Sequence, residues 1–197
     1  MRLGRTRLPI PPFDYDNEWG NQLIRAIDQN FDSAFANIEN SAATTGYYGS
    51  FYDTTTQTAA AANTAYAMNL NTTAESNQIA VLSNSRITFK NRGSYNIQFS
   101  AQLENTTNDT QDVEIWFRKN GSDIAKSNSR FGLPARKSSG DPSHTVAAMN
   151  FYTSLLSGDY IEMMWRTSNV GVTIQAYAAG TTPTRPRSEE HTSELQS

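Results

Sequence analysis

Cysteine, histidine and carboxylate side chains could perform catalysis or bind a metal ion, so their number and spacing bear first on function. The chain of 197 residues contains no cysteine, which excludes a disulfide framework, a thiolate zinc site and a cysteine nucleophile. Of its two histidines, His144 lies near the start of a predicted strand and the other lies in the last eleven residues. A Ser-His-Asp triad would need His144 with a serine and a carboxylate that no spacing identifies. We therefore expect no catalytic residues.

The aspartates that could coordinate calcium lie in or beside predicted turns, where aspartate is favoured because it hydrogen-bonds nearby backbone groups. These residues are Asp109, Asp112, Asp123 and Asp141. None of them follows the D-x-[DN]-x-[DN]-G spacing of a calcium-binding loop. The sequence also contains no glycine-rich phosphate-binding loop. We therefore expect no metal ion and no cofactor.

Three basic residues, Arg130, Arg136 and Lys137, lie in the predicted loop "SRFGLPARKSSGDPS". Loops on a rigid sandwich of sheets are free to vary and often carry binding residues. This loop and the turn "ENTTNDTQD" are therefore candidate receptor-binding loops, in which the basic residues could contact an anionic glycan. The alternative is a solvated loop without a ligand.

The charge balance favours neither nucleic acid nor a charged surface as a partner. The formal net charge is -3, of which the last eleven residues carry -2, so the rest carries only -1. No run of 18 or more apolar residues is present, and we expect no membrane span. A hydrophobic fraction of 37% is enough for one globular domain with appendages.

The N-terminal segment, residues 1–15, is expected to be an extended arm. Its prolines at positions 9, 11 and 12 exclude a helix and interrupt any apolar block of a signal peptide. The arm could dock onto another protein or remain solvated.

A helix is predicted over residues 16–41, because apolar residues recur there at alternating spacings of three and four. These residues are Ile24, Ile27, Phe31, Ala34 and Ile38. The spacing is the a/d stripe of a coiled coil, and bulky residues at a positions favour three strands over two. We therefore predict a trimer seam, with an amphipathic helix lying on its own domain as the alternative.

From residue 46 onward the hydrophobic period is two, which indicates antiparallel strands. The run "GSYNIQFSAQL" places Tyr95, Ile97 and Phe99 on one face, and Asn120-Gly121 is a strong hairpin signal. About eight or nine strands emerge without a helix among them. The fold class is therefore all-β, an antiparallel sandwich or jelly roll over residues 45–186.

Two aromatic residues depart from this alternation. Trp116 and Tyr177 lie on the strand faces that should be polar. Scattered exposed aromatics are normal in monomers, but Tyr and Trp are also enriched at subunit contacts. Together with the apolar stripe of the helix, they favour a cyclic homotrimer.

An ordered set of motifs resembles the globular head of the complement first component and the tumour necrosis factor-like superfamily, from about residue 45 to residue 177. The motif residues are Gly93, Tyr95, Phe99, Asn120, Gly121, Gly158 and Asp159. With "NTAYAMNL" and "FRKNG", the sequence is most similar to the variant found in structural proteins of tailed bacteriophages. The resemblance implies a tumour necrosis factor-like jelly roll of ten strands that assembles as a threefold trimer.

The function implied by this resemblance is that of a non-enzymatic virion protein, such as a head or tail fibre or a decoration protein. The arm and the trimeric helix would contact other virion proteins, and the head would attach to a host-surface glycan or protein. The alternatives are a secreted adhesion or signalling ligand with the same head, and a carbohydrate-active enzyme. The missing signal peptide and collagen-like stalk disfavour the first, and the missing acid/base pair disfavours the second.

The last eleven residues, "RSEEHTSELQS", stand where such a jelly roll would have its final strand. A Val/Ile-rich segment is expected there, but Leu195 is the only apolar residue of the run. The run is also the codon-by-codon translation of a common sequencing adapter, which would indicate an environmental DNA fragment. We therefore expect residues 187–197 to be a non-native tail, and the head to lack its last strand, with two rows of backbone groups unpaired. A genuine disordered tail is the alternative.

Overall fold

A computed structural model of the chain describes residues 17–44, 46–186 and 190–196, with side chains described for 18–35 and 46–186. The chain divides into two compact units, Met1–Gly46 and Tyr47–Ser197. The second unit, called the head below, contains the predicted globular segment. The predicted arm, residues 1–15, lies outside the described residues.

The first unit contains helix α1, Asn17–Thr44, which confirms the predicted helix and extends it by three residues at its C-terminal end. Glu18 lies in the first turn, where a carboxylate interacts favourably with the positive end of the helix dipole. With 28 residues and about 1.5 Å per residue, the helix is about 42 Å long.

In the described part of the head, sixteen segments are strands, joined by turns and loops. Their bounds are β1 Tyr48–Asp53, β2 Gln57–Thr58, β3 Tyr66–Ala67, β4 Thr72–Asn77, β5 Ile79–Leu82, β6 Arg86–Phe89, β7 Gly93–Asn105, β8 Gln111–Lys119, β9 Ser122–Asp123, β10 Ser129–Leu133, β11 Ser143–Leu155, β12 Tyr160–Thr167, β13 Val172–Ile174, β14 Gly180–Thr181, β15 Thr184–Arg185 and β16 Glu190–Gln196.

Two seven-stranded sheets contain all of these strands except the short β14-β15 pair. In the first sheet the order is β2-β13-β7-β16-β1-β4. Strands β13 and β16 pair with successive parts of one edge of β7, and β11 pairs with its other edge. In the second sheet the order is β10-β8-β12-β6-β5, with β3 added to β12 and β9 added to β8. The strands pair antiparallel throughout, as in the register of β7 with β11 from Gly93↔Leu155 to Asn105↔Ser143. This confirms the all-β antiparallel class.

The two sheets share one hydrophobic core, which the period-two pattern supplies. In β7 the side chains of Tyr95, Ile97 and Phe99 are buried, and the residues between them are not. Across the core, the ring centroid of Phe99 lies 6.0 Å from that of Phe117 in β8. The ring of Phe89 in β6 lies 4.5 Å from that of Tyr95. The two sheets therefore pack face to face as a sandwich.

The position expected to be vacant in the first sheet, between β1 and β7, is occupied by β16. This strand pairs with β7 from His191↔Ser100 to Gln196↔Tyr95, and with β1 at Asp53↔Glu190. The expectation of two unpaired backbone rows is therefore corrected. Ladder hydrogen bonds are made by main-chain N–H and C=O groups, so a polar segment can complete a sheet.

The register of β16 predicts that apolar residues at two positions stabilise the head. Thr192 and Glu194 pair with Phe99 and Ile97, which face the core, and antiparallel partners share a face of the sheet. The double substitution Thr192→Val/Glu194→Ile is expected to raise the free energy of unfolding by about 3 kcal/mol, because burying an aliphatic side chain contributes roughly 1.5–3 kcal/mol. Denaturant unfolding followed by circular dichroism measures the change.

The matched control is His191→Val/Ser193→Ile, which adds similar side chains opposite Ser100 and Gln98. Neither of these partners belongs to the core, so the control is expected to leave stability nearly unchanged. Equal stabilisation by both doubles would contradict the register.

Candidate functional site

The predicted trimer seam lies on an exposed stripe of α1. The side chains of Ile24, Phe31 and Phe35 are 58%, 60% and 62% exposed, and Ile27 and Ala34 are also exposed. The side chain of Ile38 lies outside the described residues. Large apolar side chains in a row along one helix face favour association, because water contact with them is unfavourable.

A second apolar feature lies on the outer face of the first sheet, the face turned away from the core. Val146 and Tyr152 in β11 are 56% and 60% exposed. Their partners across the ladder are Gln102 and Asn96 in β7, which are polar. Among the described residues, no strand pairs with the second edge of β11. This strand therefore presents both apolar side chains and backbone groups to the surroundings.

The two aromatics predicted at subunit contacts, Trp116 and Tyr177, each have a polar partner in their own chain. The indole N–H of Trp116 donates to Oδ1 of Asp123 at 2.9 Å. The Tyr177 hydroxyl donates to Oε2 of Glu104 at 3.2 Å and lies 2.8 Å from Nδ1 of His144. Burial, together with the charge of Glu104, raises the pKa of Tyr177 to about 12, so this hydroxyl stays protonated.

His144 therefore lies on the outer face of the first sheet with Tyr177 and Glu104. Its Nδ1 is 3.8 Å from Oε2 of Glu104. No serine belongs to this set, so the described residues do not form a Ser-His-Asp triad around His144. They also contain no group of three or more His, Asp or Glu residues that could hold a metal ion.

The three predicted basic residues do not converge on one point, because each contacts a different partner. Arg130 lies in strand β10 rather than in a loop, and its Nε is 3.2 Å from Oε1 of Glu114. Nε of Arg136 donates to Oδ1 of Asn108 at 2.7 Å. Lys137 lies 3.9 Å from Asp141. The charges of Arg130 and Lys137 are therefore balanced in part by carboxylates of the head, whereas the partner of Arg136 is a neutral amide.

The two predicted receptor-binding loops lie side by side. The loop of residues 106–110 follows β7, and the loop of residues 134–142 follows β10. The backbone N–H of Arg136 donates to the carbonyl of Thr107 at 2.9 Å. The Asn105 side chain donates to the carbonyls of Asp109 and Pro134 at 2.9 and 2.8 Å. The two loops thus form one continuous surface, which the sequence could not show.

The second sheet contains an ion pair that was not predicted from the sequence. Arg166 in β12 donates to both carboxylate oxygens of Glu114 in β8, at 3.0 and 2.8 Å. These hydrogen bonds hold the pKa of Glu114 below its ordinary value. Glu114 lies at a polar position of the alternating strand β8, which is a visible signal, whereas β12, which contains Arg166, does not alternate. Their pairing depends on the β8-β12 register, which the sequence does not reveal.

The structure brings four of the motif residues together in two turns that hold each other. Oδ1 of Asp159 accepts a hydrogen bond from Nδ2 of Asn120 at 2.7 Å, and Oδ1 of Asn120 accepts one from the N–H of Tyr160 at 2.9 Å. Gly121 and Gly158 have φ of +82° and +86°, which favours glycine. These residues therefore join the β8-β9 turn to the β11-β12 turn.

The remaining motif residues belong to β7. Gly93 begins the strand, and the Tyr95 hydroxyl donates to the carbonyl of Asn91 at 2.9 Å. Tyr95 and Phe99 are core residues. The motif is therefore structural.

Neither a protein-family model nor a curated protein matches this sequence. No helix in the described part of the chain has the length and apolar character needed to cross a membrane.

The carboxylate of Asp159 is expected to contribute to the stability of the head. Burial disfavours its charge, but hydrogen bonds from Lys119, the backbone of Leu156 and Asn120 hold its pKa below the ordinary value. Asp159→Asn replaces one acceptor oxygen by an NH₂ group facing these donors. We expect a loss of about 2 kcal/mol at pH 7, because the buried side chain then lacks one acceptor oxygen and the charge that pairs with the Lys119 ammonium group. Urea denaturation measures it.

The lowered pKa sets the sign of the pH dependence. The stabilisation by Asp159 is present above the unfolded pKa and is lost as the pH falls through the folded pKa, so the difference from Asp159→Asn should shrink below about pH 4. The control Asp141→Asn, at a more exposed turn aspartate, should have little effect. A constant difference down to pH 2 would contradict the role of the charge.

Proposed function

We propose that this chain is a non-enzymatic, homotrimeric structural protein of a tailed-bacteriophage virion. In this proposal α1 is a trimeric coiled coil that connects the protein to the particle. The head is a tumour necrosis factor-like jelly roll that attaches to a host surface. The observation that carries the proposal is the exposed apolar stripe of α1, combined with the strand order of the head.

The strand order supports the jelly-roll assignment. Ten strands have four or more residues, five in each sheet: β1, β4, β7, β11 and β16 in the first, and β5, β6, β8, β10 and β12 in the second. Along the chain these strands cross repeatedly between the two sheets, from β4 to β5, from β6 to β7, from β7 to β8, from β10 to β11, from β11 to β12 and from β12 to β16. Strands that alternate between two packed antiparallel sheets are typical of a jelly roll.

The exposed stripe of α1 supports the trimer. Most helical stability in proteins comes from packing an apolar face, and the apolar face of α1 is exposed within one chain. A parallel three-stranded seam would cover Ile24, Ile27 and Phe31 with the same residues of two further copies. Exposed Val146 and Tyr152 give the head an apolar surface of its own, which a contact between subunits would also cover.

The adjacent loops 106–110 and 134–142 support attachment by the head. They form one surface made largely of polar residues on a rigid sandwich, where sequence changes cost little stability. A surface that can vary without loss of the fold suits a protein that must follow changes in its target.

The stripe predicts how single charges alter the assembly. Phe31→Lys places an ammonium group in the seam, where it would be buried without a partner, so we expect it to convert trimers into monomers at micromolar concentration. Gln29→Lys introduces the same side chain at an exposed position outside the a/d pattern and should leave the trimer intact. Sedimentation equilibrium of both variants distinguishes them. Loss of the trimer in both, or in neither, would contradict the seam.

The virion assignment has a separate test. We expect genes for portal, capsid or tail proteins beside this one on the source DNA, and the protein itself in purified particles by mass spectrometry. A neighbourhood of cellular genes, with a trimer still formed, would favour the alternative of an adhesion ligand.

A further inference from the structure

A depression of about 270 Å³ lies on the second sheet, on the face turned away from the core, beside Trp116. Known ligand pockets begin at roughly 300 Å³, so the space suits one small ring rather than an extended chain. It differs from the loops 106–110 and 134–142, none of whose residues lines it. Trp116 and Ile124 provide its apolar part.

The indole of Trp116 is held in place from one side. Its N–H donates to Oδ1 of Asp123, and Nε of Arg118 binds the same oxygen at 2.8 Å. The hydrogen bond from Arg118, and to a smaller extent that from Trp116, holds the pKa of Asp123 below its ordinary value. The carboxylate therefore remains charged. Among the described residues, no aromatic ring or cationic group stacks on Trp116. A half-buried indole with a fixed orientation is thus available to a ligand.

The polar wall opposite is also ordered. Glu114 is held by the two hydrogen bonds from Arg166, and Nδ2 of Asn128 lies 3.4 Å from its Oε2. Nη1 of Arg166 donates further to Oδ1 of Asn63 at 2.6 Å. Groups that are already positioned lose little conformational entropy when a ligand binds.

Lys126 gives the depression an unbalanced positive charge. Near this site, Arg118, Arg130 and Arg166 are matched by Asp112, Glu114 and Asp123, so these six charges cancel. Lys126 lines the depression and has no ion pair among the described residues. Its backbone has φ of +68°, a conformation that residues other than glycine, asparagine and aspartate rarely adopt. The side chain of Lys126 is exposed, and it lines the same depression as Trp116.

We propose that this depression binds one acidic sugar ring, a hexuronic acid residue of a surface glycan, stacked on Trp116 with its carboxylate at Lys126. The face of an aromatic ring carries partial negative charge, which suits the axial C–H groups of a pyranose. The carboxylate forms a charge-assisted hydrogen bond with the ammonium group. The carboxylate of Glu114 accepts hydrogen bonds from the ring hydroxyls, and the amide of Asn128 can donate to them or accept from them. The proposal names a ligand class for the attachment function above, and the site itself is formed within one head.

Two probes that differ only at C6 test the proposal: methyl β-D-glucuronide, with a carboxylate there, and methyl β-D-glucoside, with a hydroxymethyl group, are titrated onto the full chain by ligand-observed NMR. The glucuronide is expected to bind about tenfold more tightly, because a charge-assisted hydrogen bond contributes a difference of this order. Lys126→Ala should abolish that preference, and Trp116→Ala should weaken both probes about tenfold or more. The control Lys90→Ala removes another exposed ammonium group and should leave both affinities unchanged.

Thermal unfolding of each variant shows whether it is folded. If Trp116→Ala does not fold, Lys126→Ala alone decides the outcome, because its side chain is exposed. Equal binding of the two probes, no binding of either, or a preference that survives Lys126→Ala would overturn the proposal. The Phe31→Lys variant separates this result from the oligomeric state. It should bind the glucuronide as the unaltered protein does, so failure of the trimer leaves the sugar site standing, and the reverse also holds.

Discussion

The thirteen-residue strand β7 is the element on which the rest of the head depends. One of its edges carries β11 along the full length, and its other edge carries β13 and β16 in succession. One face supplies Tyr95, Ile97 and Phe99 to the core, and the ring of Phe99 contacts the second sheet. Because successive side chains of a strand point to opposite faces, this core contribution fixes which residues remain outside. The polar outer face beside the apolar residues of β11 is a direct consequence.

Much of this architecture could be predicted from the sequence, because β7 and β8 each keep one face buried and the other polar. The run "GDYIEMMW" also predicts the strand β12, but not its two faces, since five consecutive residues, 161–165, are buried. Oε1 of the buried Glu162 accepts hydrogen bonds from the side chains of Ser85 and Arg86, two residues far away in the sequence. The strand β16 also escaped prediction, because backbone ladders form without an apolar pattern. Periodicity describes faces, whereas pairing depends on register.

The same limit applies to the candidate sites. The stripe of α1 could be predicted because its residues share a face through helical spacing alone. The loop residue Arg136 and its neighbour Asn108 were each visible in the sequence, but only the fold places them in contact. The alternation of β8 predicts that Trp116 lies on the outer face, but its hydrogen bond to Asp123 depends on the short β8-β9 hairpin. Arg118, Arg130 and Arg166 on the second sheet are each paired with a carboxylate. Lys126 has no such partner among the described residues, which is why it indicates a site for an anionic group.

The account depends most on whether three copies cover the apolar face of the helix. Light scattering coupled to size-exclusion chromatography, applied to the unaltered chain over a hundredfold dilution, measures the mass in solution directly. A trimer has three times the 21.8 kDa of one chain, and we expect this mass to persist at micromolar concentration. A stable particle of 21.8 kDa would contradict it.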